Sequence, residues 1–201
     1  MVSENIKESE FSNMDVLYFI LTLLLFFLVA AIIIVSVVFV YFTVSSGFMH
    51  SSPPVPSSGR VKKAMLEDAA LSLAGKQSRL VMDLGSGWGS LLLPLAKKFP
   101  EHTFIGIEYG FIPYMVSCWR ARKLKNLQFQ RANFFETDIS KSDVIFLFLL
   151  TSTMEKLSKK CIDEVKPGAI AYANRFPIQG KKPAKKVSFG SDYETYYIYE
   201  F

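Results

Sequence analysis

Histidine and cysteine are scarce, with two of each in 201 residues. His50 and His102 are too few for a metal cluster or a Ser/His/Asp constellation, which excludes most metal-dependent and triad hydrolases. Cys118 and Cys161 lie far apart in helix-like surroundings and read as reduced intracellular thiols, not as a disulfide framework. Cys118, within "MVSCWRARK", is expected to be buried in a helix. The chain has no internal repeat. It also has no nucleic-acid recognition motif, so no nucleic-acid partner is expected despite the basic charge.

Charge is missing from Val16 to Val44. A helix of that length would reach about 43 Å at 1.5 Å per residue, more than the ~30 Å hydrocarbon core. One tilted transmembrane helix over 16–44 fits, with Tyr18, Tyr41 and Phe42 as interface anchors. A signal peptide would have a shorter apolar core behind a basic stretch, whereas this run follows "SENIKESEFSNMD". The tail over 1–15 is acidic, holding Lys7 among Glu4, Glu8, Glu10 and Asp15, while Arg60, Lys62 and Lys63 follow the span. Positive-inside then puts the N-terminus outside and the C-terminal domain in the cytosol, at a bacterial inner membrane or its equivalent. Beyond residue 50 there are 22 basic against 14 acidic side chains. A basic domain tethered to a bilayer suits anionic headgroups.

Residues 45–60 are rich in Ser and Pro and read as an extended linker, leaving 61–201 as the soluble domain. There, "VKKAMLEDAALSLAG", "WGSLLLPLAKKF", "FIPYMVSCWRARKLK" and "STMEKLSKKCIDEVK" have helical spacing, the last with Ser152 and Glu155 as a capping box. "RLVMDLG", "TFIGIEYG", "LQFQRA", "SDVIFLFLL", "GAIAYANRF" and "YETYYIYEF" read as strands, with "KKVSF" as a further candidate. Helices alternating with strands imply an α/β domain with a mostly parallel sheet, its ligand site at the carboxyl ends of the strands.

At the turn after the first strand, "VMDLGSGWGS" sets Gly85, Gly87 and Gly89 at alternate positions. Glycine there lets the backbone approach a ligand, or merely permits tight packing. Glu108, at the end of the next strand, is placed to accept both hydroxyl hydrogens of a ribose. A nicotinamide dinucleotide fingerprint would carry its third small residue at Ser90, not at Gly89.

This spacing resembles motif I of class I S-adenosylmethionine-dependent methyltransferases. With "IGIEYGFIPY", "SDVIFLFLLTSTMEKL" and "VKPGAIAYANRFPI", residues 53–201 resemble the branch holding the ATP synthase c-subunit lysine N-methyltransferases and their small prokaryotic relatives. The resemblance implies a Rossmann-like class I methyltransferase fold with an antiparallel C-terminal strand, and S-adenosyl-L-methionine as cofactor without metal. It assigns Asp83, Gly85, Ser86, Gly87, Gly89, Glu108 and Tyr109 to the cofactor, with Asn133 at the adenine amine edge and Phe134 beside the ring. Phe134 and Phe135 fit core packing equally well. Trp88, Ser90 and the run Tyr109, Gly110, Phe111 depart from residues usual in that branch.

In-line displacement at a sulfonium needs positioning in a dry site more than acid–base side chains. The acceptor is expected near Leu149, Leu150 and Thr151, although Thr151 also suits a helix N-cap. Glu136 and Asp138 either assist or are solvated, and "GKKPAKK" is a solvated loop or an anionic contact. A membrane-associated protein lysine is the acceptor implied by the resemblance. The alternatives are a lipid-soluble small molecule, or a non-catalytic adaptor that kept the fold.

Overall fold

The computed structural model describes residues 13–48, 59–149 and 151–201. The chain divides into two compact units, 1–49 and 50–201. Most of the expected linker, most of the acidic tail, and Leu150 lie outside the described residues.

Among its described residues the first unit holds one helix, α1 (Asn13–Phe48), longer at both ends than the apolar run that predicts it. Residues 45–48, expected to belong to the linker, are helical. Met14–Tyr41 has mean hydropathy 3.4 at its most apolar, and none of its side chains is buried. By length and composition this helix can cross a bilayer.

The second unit opens with α2 (Gly59–Leu73), which begins two residues inside the expected linker. It closes at Gly75, whose φ of 67° suits a C-terminal cap. The elements then run β1 (Leu80–Leu84), α3 (Leu92–Lys98), β2 (Thr103–Glu108), α4 (Phe111–Ala121), β3 (Leu127–Arg131), β4 (Val144–Leu147), α5 (Thr151–Glu164), β5 (Ile170–Asn174), β6 (Lys185–Ser188) and β7 (Thr195–Glu200). They form one seven-stranded sheet of order β3-β2-β1-β4-β5-β7-β6. The first five strands in that order are parallel, and β7 and β6 are antiparallel to their neighbours. "KKVSF" is thus a strand, pairing with the tail.

Period-two alternation feeds two cores. Val81, Val144 and Phe146 face a cluster with Met65, Leu92, Leu95 and Phe129, under α2, α3 and α4. Met82, Leu84, Ile145 and Leu147 face the other, with Met154, Leu157 and Cys161 of α5. Because β1 neighbours both β2 and β4, strand order reverses between β1 and β4, and the loops after them meet in one crevice. Helix α5 starts at Thr151, so Ser152 lies inside the first turn and not at the expected cap. Cys118 is only half-buried, on the flank of the first core.

Candidate cofactor and acceptor site

The crevice is built by four backbone segments. After β1 the chain makes an irregular turn through Gly85–Leu91 before α3 begins, later than the sequence pattern suggests. The amides of Gly85 and Ser86 both donate to the Ile107 carbonyl of β2 at 2.9 Å, and Gly89 N–H donates to the Ser86 carbonyl. Gly85, Gly87 and Gly89 have φ of 83°, 52° and 72°, conformations that disfavour any side chain.

The three glycines differ in what a Cβ would meet. At Gly89 it would lie 2.5 Å from the Phe129 ring, and at Gly85 2.8 Å from Leu149. At Gly87 it would meet nothing within 4 Å. Gly85 and Gly89 therefore serve packing, while Gly87 borders open space.

Glu108 holds the turn from the other side. Its Oε2 accepts from Gly87 N–H at 2.8 Å and its Oε1 from Gly110 N–H at 2.7 Å. An ionised carboxylate has about four acceptor positions, so two backbone donors leave capacity for hydroxyls. The Tyr109 carbonyl accepts from Arg131 Nε at 3.4 Å. Asp83 is buried at the end of β1, and its Oδ1 lacks a hydrogen-bond partner. Burial, reinforced by the charge of Glu108, pushes its carboxyl up to about 8. Ser86 Oγ is a second buried, unpartnered atom of the same turn.

On the β3 side, Asn133 folds into its own loop. Its Nδ2 donates to Glu136 Oε1 at 2.9 Å, and its Oδ1 accepts from Phe135 N–H at 3.1 Å. Phe134 and Phe135 contact each other at a centroid distance of 4.6 Å on the edge of the second core. Asp138 is an exposed acid whose Oδ1 accepts from Ser140 N–H. On the β4 side, Leu149 is half-buried against Gly85, and Thr151 is exposed at the start of α5.

Two contributors escape a reading of the sequence. Gly106, inside β2, leaves room for Phe129 and Ser86 Oγ, and its signal was a glycine within a strand. Arg120 Nη1 donates to the Trp88 carbonyl at 2.6 Å, reaching the glycine turn from α4. Outside these segments, Asn174 at the end of β5 also has a buried and unpartnered Oδ1. No local pattern announces Arg120 or Asn174.

The profile of the ANTKMT methyltransferase domain matches residues 83–185, from the acid of β1 to the first residue of β6. The chain belongs to this methyltransferase family. A protein-lysine N-methyltransferase of Saccharolobus islandicus is 34% identical over 73% of the chain and 92% of that relative. The lysine N-methyltransferase of Xenopus laevis that acts on the ATP synthase c-subunit is 24% identical over 65% of the chain, which spans 57% of its length. An RNA methyltransferase from Salinibacter ruber, solved with S-adenosyl-L-homocysteine, superposes with a TM-score of 0.63 at 25% identity, covering 73% of this chain and 93% of that one. The cofactor of this methyltransferase is S-adenosyl-L-methionine. The cradle fits it: open space beyond Gly87, a carboxylate with free acceptor positions, and buried oxygens without partners meet a ligand rich in hydroxyls and amines.

Proposed function

We propose that this methyltransferase modifies lysine side chains of a membrane-associated protein, from a domain over 61–201 held at the bilayer by α1. Support for the acceptor comes from the protein-lysine N-methyltransferase whose length the chain covers almost completely. The apolar run of α1 supports the anchor, and the basic residues that follow it favour a cytosolic domain with the N-terminus outside.

S-adenosyl-L-methionine supplies an electrophilic methyl group when bound. Gly87 gives the backbone a close approach to it, with Gly85, Ser86 and Gly89 shaping the turn. Glu108 accepts from the ribose hydroxyls, and Asp83 sets a negative potential or a proton at the floor. Tyr109, Asn133 and Phe134 flank the base. The acceptor enters past Leu149 and Thr151, where the apolar Leu149 side chain disfavours an ammonium and so favours the neutral amine that can attack. No metal ligand set is assigned, and groups of three or more metal-ligating side chains are absent among the described residues.

The test is transfer of labelled methyl from S-adenosyl-L-methionine by the full chain to membranes from cells lacking it. Methyl-lysine in the acid hydrolysate of a membrane protein is the expected result. Label in extracted lipid or in RNA, with protein unlabelled, would overturn the lysine reading. Label nowhere would overturn the catalytic one.

A further inference from the structure

The outer surface of α4 is oddly apolar. Phe111, Met115 and Trp119 are 46%, 52% and 65% exposed, and their spacing of four puts them on one stripe about 12 Å long. Scattered exposed apolar residues need no explanation, but an aligned aromatic–Met–aromatic stripe on a short helix does. Each end is covered by a guanidinium: Arg131 lies 5.2 Å from the Phe111 ring centroid, and Arg122 lies 4.5 Å from that of Trp119. From Tyr109 to Phe135 there is no acidic residue, while Arg120, Arg122, Lys123, Lys125 and Arg131 are all basic.

The same helical layer carries a second feature of this kind. Between α2 and α3 lies a cavity of about 450 Å³ with Leu66 and Leu95 among its walls, lined also by Lys62, Lys63 and Lys98, and by one acid, Glu67. Burial, followed by the charge of Arg120, holds the Lys62 ammonium below its ordinary pKa, so α2 and α4 share one positive field. At most ten residues, about 35 Å when fully extended, join the end of α1 to the start of α2.

We propose that the α2–α3–α4 layer is a bilayer-docking surface for anionic phospholipid, with Phe111, Met115 and Trp119 at the boundary between headgroups and acyl chains. Aromatic and Met side chains with Arg at both ends match that boundary, where the apolar body enters and the charge stays among phosphates. The absence of acids along the stripe removes the repulsion that an anionic surface would otherwise exert. This rests on the membrane reading of α1, but it is a separate contact with a separate readout.

The chain has two tryptophans, so Trp88→Phe leaves Trp119 as sole reporter. The full chain is reconstituted into phosphatidylcholine vesicles with or without phosphatidylserine, all carrying a quencher on the acyl chain near the headgroup. Trp119 emission should be blue-shifted and quenched roughly twofold more with phosphatidylserine, and the difference should vanish in Arg122→Gln/Lys123→Gln and in molar salt. Solvent-like, unquenched emission in both lipids would overturn the proposal and leave the stripe to a protein partner; equal quenching in both would overturn its anionic selectivity. Alkaline extraction of the same vesicles reads the anchor independently. A retained chain with unquenched Trp119 defeats docking alone, and an extracted chain that was quenched beforehand supports docking without the span.

Discussion

Gly87 and Gly89 stand two residues apart and should fail in different ways. Gly87→Val puts a branched side chain into open space at a φ of 52°, so the domain should still fold, at a cost of about 1–2 kcal/mol, but lose S-adenosyl-L-methionine. Gly89→Ala drives a methyl against the Phe129 ring, so it should lower the melting temperature by an overpacking cost of about 1–3 kcal/mol, with strain at φ 72° added. Melting curves beside calorimetric titration would separate the two, and equal binding by the Gly87 variant would refute its role. The sequence marks the three glycines alike. Their division of labour depends on Phe129 and Leu149, which are distant along the chain and reach the turn only through sheet order. Asp83 yields a pH prediction. Its folded pKa is raised to about 8, so its contribution to stability is complete below the ordinary carboxyl range and is lost as pH rises toward 8. In cofactor-free protein, denaturant unfolding should show stability falling between pH 5 and pH 8, with Asp83→Asn flattening that slope. An unchanged slope would place the Asp83 carboxyl in a wetter site than its burial implies.

Elements were legible wherever periodicity is strong. Among the described residues, the four α-helices of the second unit and six of its strands correspond to stretches read as such, with β6 in the further candidate "KKVSF", because burial on both faces makes β1 and β4 near-continuous apolar runs and a single buried face gives α2 and α5 helical spacing. Boundaries were not. Helix α3 starts at Leu92 because the turn from Gly85 must first bend around Glu108 and Ile107, a demand set by β2. Side-chain locks between elements were also invisible. Asn126 Nδ2 donates to the carbonyls of Ala96, Phe99 and His102, at 3.0, 3.1 and 3.2 Å, tying the end of α3 to the start of β2. Asn126→Ala should remove this shared side-chain donor and cost about 1–3 kcal/mol, read as a lower denaturation midpoint with an unchanged slope. A change below experimental error would mean that water replaces the amide.

At the scale of the whole chain, the division into an apolar helix and a methyltransferase unit with its own sheet and two cores suggests separable tasks, the proposed tether and the chemistry. With α1 as the proposed tether, deleting residues 1–50 should leave turnover of a soluble lysine peptide nearly unchanged while sharply reducing methylation of the proposed membrane-associated substrate, because tethering acts through effective concentration. An unrelated span of the same orientation should restore it. If that replacement inserts and still fails, α1 recognises its partner by helix packing. The Arg120–Trp88 bond adds a consequence of another kind. It crosses from α4 to the glycine turn, so a restraint on the helix and any ligand beside that turn act on the two ends of one connection. Whatever factor the bilayer contributes to cofactor affinity, the cofactor must return to bilayer affinity, since binding linkage is reciprocal. Titrating S-adenosyl-L-homocysteine into the full chain in anionic and in neutral vesicles, with Arg120→Ala as the broken wire, would measure that factor directly.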